Sequence, residues 1–248
     1  MAEETLTLVF GFNTLEVAVA LHRIDAILSA SKVGKNGFMV DGSPVRDLTE
    51  ALARLEKKGR TTFNIAGQGY EFDLGRVKNN GVDFFLIDHK GEHDFLWDDW
   101  ATPFLGDRFF VMAWLADSEY EFWQNAKDLL QYRSRNRPFD HLPKKSNGLP
   151  YPLEQTIIDT SRNPGRRVIR QGFHEVVGAV MWLGEPFWRL TGADREAVEH
   201  ADWLQITYST ANVVRIQAAE ECFTSQEGSS KNLQERLRSL LFPGIVAA

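Results

Sequence analysis

"RTTFNIAGQGYEFDLGRVKNNGVDFFLIDHKGEHDFLW", residues 60–97, is a run of short extended segments divided by glycine-rich and Asn-Asn-Gly turns. Such a texture reads as an antiparallel meander. Its close, "VDFFLID-HKGE-HDFLW", reads as a hairpin turning near Lys90-Gly91. Strands are expected to continue to about residue 115, through the apolar "DRFFVMAWLAD".

Helices are expected on either side. "NTLEVAVALHRIDAILSASK" opens with Asn13 as a candidate N-cap and Glu16 three residues on, and carries Val17, Leu21, Ile24 and Leu28 on one face, giving a helix over 14–30. Asp47 and Glu50 start a second over 47–58, ended by "KKG". Ser118 and Glu121 open a third over 118–133, with Phe122, Trp123, Ala126, Leu129 and Leu130 as its apolar stripe. "SKNLQERLRSLLF" gives a last helix over 229–241, after a hairpin-like 203–223. Helices, then strands, then helices indicate an α+β fold with antiparallel sheet flanked by helices. Residues 134–152 hold four of the nine prolines and divide an N-terminal region, 1–133, from a C-terminal one, 153–248. "VMAWLADSEYEFW" (111–123) and "VMWLGEPFW" (180–188) echo one another; two related halves would explain this, and so would coincidence in an aromatic-rich chain, the reading preferred here.

A chain of 248 residues with 43% hydrophobic and 25% charged side chains is ordinary for a globular protein. The net charge of −6 argues against a general nucleic-acid or anionic-membrane binder. The single cysteine, Cys222, excludes an intramolecular disulfide and a cysteine-rich zinc site. The start lacks the basic flank of a signal peptide, and no stretch approaches the ~20 apolar residues of a membrane span, so a cytoplasmic location is expected.

Catalytic signatures are incomplete. His89-Lys-Gly-Glu92-His93 spells H-x-x-E-H, whose chemistry needs a helix to bring both imidazoles to one face, whereas the context here is a hairpin. A metal-dependent hydrolase using His89 and His93 is the rival this motif leaves open. Ser29-Ala-Ser-Lys32 lies at a helix end without its companion motifs, and Cys222 sits among carboxylates that disfavour a thiolate. Neither a catalytic residue, a metal site nor a cofactor is expected.

Charge segregation is the stronger signal. From Asp83 to Glu121 ten acids face two bases, and from Lys127 to Arg170 ten bases face four acids. Within the acidic stretch, Asp88, Glu92, Asp94, Asp98, Asp99, Glu119 and Glu121 are candidates for electrostatic complementarity to a partner, with Trp97 and Tyr120 as exposed aromatic anchors. Trp123 is assigned to the core, and Trp100 is open between core and surface. The basic middle, with Tyr132 and Phe139 interleaved, leaves a nucleic-acid-binding accessory protein as a further rival, against a loop that pairs with the acidic region.

"VVGAVMWLGEPFWRLTG" (176–192), "ADWLQITYSTANVVRIQAAEECF" (201–223) and "LRSLLFPG" (237–244) resemble, in their aromatic and apolar spacing, the immunity proteins of bacterial polymorphic-toxin and type VI secretion systems, in particular the group paired with restriction-endonuclease-like toxins. The resemblance implies a cytoplasmic inhibitor without an active site that binds its toxin and blocks the toxin's catalytic cleft. It assigns no role to any single residue.

Overall fold

A computed structural model of the chain describes residues 3–31, 34, 37–89 and 96–245. The N-terminal region contributes β1 (Glu4–Gly11), α1 (Val17–Ala30), β2 (Phe38–Val40), β3 (Ser43–Val45) and α2 (Leu48–Lys57). There follow β4 (Phe63–Gly67), β5 (Tyr70–Val77), β6 (Val82–His89), α3 (Trp97–Leu105) and β7 (Phe110–Asp117). The middle holds α4 (Ser118–Asn125), α5 (Leu129–Ser134), β8 (Lys144–Ser146), β9 (Thr156–Ile158), β10 (Val168–Arg170) and β11 (Phe173–Glu175). The chain continues through β12 (Val180–Gly184), α6 (Glu185–Thr191), α7 (Arg195–Glu199), β13 (Gln205–Thr210), β14 (Val213–Gln217) and α8 (Gly228–Leu241).

The fold is α+β. Ten strands form one sheet in the order β13-β14-β12-β7-β1-β6-β5-β4-β2-β3, and its pairings are antiparallel. Because β12 pairs with β7, strands from both sides of residues 134–152 share that sheet. The echoed segments fall on these two neighbours, each of which runs straight into a helix.

Strand side chains alternate between faces, so the sheet supports two cores. On one face Leu6, Leu8, Phe72 and Phe85 meet Leu21 and Ile24 of α1, Leu55 of α2, and Trp100 and Phe104 of α3. On the other, Met112, Trp114, Met181 and Ile216 meet Phe187 of α6, Val198 of α7, and Leu237 and Leu241 of α8. A small third cluster, Trp123, Ala126, Tyr132 and Ile158, ties residues 126–158 to α4. Among the described residues no helix is long and apolar enough to cross a membrane.

Three sequence expectations need correction. The first helix begins at Val17 rather than 14, because the buried Asp83 carboxylate accepts from the Thr14 and Leu15 backbone N–H groups (3.1 and 3.4 Å), holding them outside the helix. Asn13 is not its cap but sits in the left-handed region at φ 60°. The helix expected over 118–133 is two, broken at Ala126 (ψ 114°), where tertiary donors take the carbonyls that a helix would use. Asn163 Nδ2 donates to Gln124 O, Tyr132 Oη to Ala126 O, and the Ile158 N–H to Lys127 O. Phe122 and Leu130, expected in its apolar stripe, are exposed. Lastly, the strands expected through 61–115 are interrupted by a helix that was not foreseen: Trp97 opens α3, and Trp97, Trp100, Ala101 and Phe104 recur at helical spacing. The proposed turn at Lys90-Gly91 lies outside the described residues.

Candidate functional site

The register sets Glu71, Asp88 and Thr5 in one cross-strand row of β5, β6 and β1, and Asp73, Leu86 and Thr7 in the next but one. Phe72, Ile87 and Leu6 alternate with them into the α1–α3 core, so these rows point to the opposite side. There the core beneath α6–α8 reaches Val9 and Val82 but includes none of Glu71, Asp73, Leu86 or Asn64, which stay half-buried. In these rows Thr5 and Thr7 of β1 are themselves buried, so only the β4–β6 part of the sheet, around Asn64, Glu71, Asp73, Leu86 and Asp88, is left partly open on this side.

The open part is acidic. Glu71 stands directly opposite Asp88, an arrangement that like charges make unfavourable. Asn64 Nδ2 bridges Glu71 Oε1 (2.8 Å) and Asp73 Oδ2 (3.0 Å), and Thr5 Oγ1 donates to Asp88. No cation pairs with Glu71 or Asp73 among the described residues. Burial raises the Asp73 carboxyl above its ordinary value; repulsion from Glu71, Asp88 and Asp41 adds to this, and the Asn64 bond draws it back. Glu121 of α4 adjoins the same region. Its carboxyl is raised by burial and by Asp88, against the pull of Arg167 at 2.9 Å and the Trp114 indole.

The sequence-nominated residues do not form one surface. Asp88 belongs to the partly open face, whereas Glu121, on α4, adjoins it but is largely buried and paired with Arg167. Asp98 and Asp99 lie on α3, on the opposite side of the sheet. Asp98 there accepts from Arg215 Nε (2.9 Å) and Trp182 Nε1 (3.2 Å), while Asp99 is exposed. Trp97 is not an exposed anchor: it is buried, with its Nε1–H on Glu4 Oε2 at 2.6 Å. Trp100 is wholly buried, stacked on Tyr70 with ring centroids 4.6 Å apart. Tyr120 is half-buried rather than exposed; its hydroxyl lies 3.0 Å from both Ser225 O and Gln234 Oε1, and burial pushes its pKa up to about 12. Glu119 is exposed and, with Tyr120, lines a cleft of about 680 Å³ between α4 and the 137–159 segment. Glu92, Asp94 and His93 lie outside the described residues.

Glu71 and Asp73 were missed because they precede the acidic run. Their signal was local: the Tyr-Glu-Phe-Asp-Leu alternation of β5 puts both carboxylates on one face.

Of the residues behind the metal-hydrolase rival, only His89 lies within the described residues. His89 is buried against Tyr70 with ring centroids 4.5 Å apart. Among the described residues no group of three or more His, Cys, Asp or Glu side chains converges as metal ligands do. Ser29 is exposed and donates to Asp25 O at 2.6 Å, a helix-terminal hydrogen bond. Burial, then Glu4, pushes the Cys222 thiol well above its ordinary value, the reverse of activation. The basic middle is largely engaged internally: Arg137 lies over Trp123, Lys145 pairs with Asp159, and Arg166 and Arg170 pair with Glu175. Arg167, through Glu121, does join the basic and acidic stretches.

No protein-family model and no curated protein matches the chain. Among solved structures it is similar to the Pseudomonas aeruginosa T6SS protein PA0821, with a TM-score of 0.54 and 10% identity, over 100% of this chain and 74% of that chain. At that identity the likeness is one of fold.

Proposed function

We propose that this chain is an immunity protein of a type VI secretion system: a cytoplasmic, non-catalytic inhibitor that binds a secreted toxin and occludes its active site. The observation that carries this reading is the open face of the sheet bearing Glu71, Asp73 and Asp88. Glu71 and Asp73 repel one another and have no cation partner among the described residues, and a basic partner surface would turn that repulsion into affinity. A nuclease toxin presents such a surface, since its active site must hold a polyanion. The fold likeness to a T6SS protein supports the same setting, as does the aromatic and apolar spacing of the C-terminal third.

The test is co-expression with the product of the neighbouring gene. The reading expects growth to be rescued by this chain and a stable complex to survive gel filtration. A wild-type chain that neither binds nor protects would remove the immunity role.

A further inference from the structure

Glu175 is buried at 1% exposure and carries three guanidinium groups: Arg170 Nη2 at 2.6 Å, Arg238 Nη1 at 2.8 Å and Arg166 Nη2 at 3.5 Å. One carboxylate cannot neutralise three cations. Arg238 is itself only 8% exposed, and its Nε–H has no acceptor among the described residues. Its Nη2 donates to Arg166 O (2.8 Å) and Pro164 O (3.1 Å), which pins that loop to α8 and accounts for the structural part of its role. Burial lowers the Arg238 pKa to about 10, with repulsion from Arg166 adding to it. Burial likewise lowers Arg166, and Arg170 repels it further.

The surplus borders a cleft of about 670 Å³. Arg162 and Lys231, both exposed, stand at its rim beside Arg166 and Arg238, with Glu235 as the one carboxylate of its lining. Pro243 and Ile245 give it an apolar wall. Neither rim cation is needed to hold the loop: Lys231 has only a 3.8 Å contact with Glu235 within its own helix. Guanidinium groups in excess beside a cavity with exposed cations at its rim match what an anion with several acceptor oxygens requires.

We propose that this cleft binds a small phosphate ester, its phosphates on Arg162, Arg166 and Lys231 with the buried charge of Arg238 behind them, and its organic part against Pro243 and Ile245. The site is separate from the acidic sheet face and stands or falls independently of the immunity role.

The experiment is thermal unfolding of the whole chain with inorganic pyrophosphate, a nucleoside triphosphate, or sodium chloride at matched ionic strength. At a hundredfold excess over Kd a specific ligand raises the midpoint by roughly 5–10 °C for a chain of this size. Either phosphate compound should produce such a rise above the chloride control, and a larger rise with the nucleotide would identify the ester as the better ligand. Arg162→Ala combined with Lys231→Ala, at exposed positions, should unfold like the wild type without ligand and lose most of the shift. A shift no greater than that of chloride, or one unchanged in the double variant, would overturn the proposal. So would binding of a DNA oligonucleotide in the absence of binding by either small anion.

Discussion

Asp83→Ala is expected to lower the unfolding free energy by about 3–5 kcal/mol, the usual cost of breaking a buried ion pair from one side. Asp83 is fully buried and lies 3.5 Å from Arg76 Nε, while its other carboxylate oxygen receives the Thr14 and Leu15 N–H groups. The substitution therefore strands a cation that is itself mostly buried and frees the turn that delivers α1 to the sheet. Asp83→Asn keeps an acceptor for the two N–H groups but breaks the same ion pair, so its cost should fall short of the alanine variant's only by what the turn contributes. Urea unfolding of both variants measures this. Equal losses would mean that the ion pair, not the turn, is what Asp83 contributes; no loss in either would refute its role at the helix start.

Acid should destabilise the protein through His174, and His174→Phe should relieve much of that sensitivity. The ring is 3% exposed, lies 5.5 Å from Trp114 and 6.4 Å from Phe84, and neither nitrogen has a partner among the described residues. Burial, with Arg167 nearby, pulls its pKa from 6.5 down to about 3. A histidine depressed in the folded state is neutral there while the unfolded chain takes up a proton. Its contribution is therefore fully present above about pH 6.5 and is lost as pH falls toward 3. At pH 4.5 the loss amounts to about 3 kcal/mol, at 1.36 kcal/mol per pH unit. Denaturant titrations of wild type and variant between pH 7 and 4 should diverge progressively; parallel curves would show that His174 does not titrate in this way.

Legibility of the fold followed how local each cause was. Asp47 caps α2 and receives the Glu50 N–H at 2.8 Å, and α8 runs over Gly228–Leu241, because a cap in the first and apolar periodicity in the second lie within the segment. The antiparallel meander was legible for the same reason, each turn lying between adjacent strands. The start of α1 was not, since its determinant, Asp83, lies 68 residues away from Leu15 in sequence. Nor was the break at Ala126, imposed by Tyr132, Ile158 and Asn163. At α3 the helical spacing of Trp97, Trp100, Ala101 and Phe104 was present in the sequence, but the strand reading of 61–115 was carried across it.

The candidate site shows the same division. Counting acids along the chain found Asp88 and Glu121 but joined them to Asp98 and Asp99, which the sheet places on its other side. Linear proximity cannot register that β6 and α3 lie on different layers. Exposure of aromatics was equally out of reach: Trp97 is covered because Glu4, 93 residues earlier, supplies the acceptor for its indole N–H. The pairing of Glu71 with Asp88 depends on the β5–β6 register, which the Asn-Asn-Gly turn made accessible in principle.

The most direct test of the account is the association rate with the neighbouring gene's product, measured by stopped flow over a salt series. The comparison is between the wild type and the combined variant Glu71→Lys, Asp73→Lys and Asp88→Lys, with circular dichroism to establish that the variant is folded. Electrostatic steering contributes roughly 10–10³-fold to on-rates at low ionic strength. The account predicts that the variant associates at least about tenfold more slowly at low salt and that its rate no longer falls as salt is added. A folded variant with wild-type rate and wild-type salt dependence would contradict the assignment of this sheet face as the partner-binding surface.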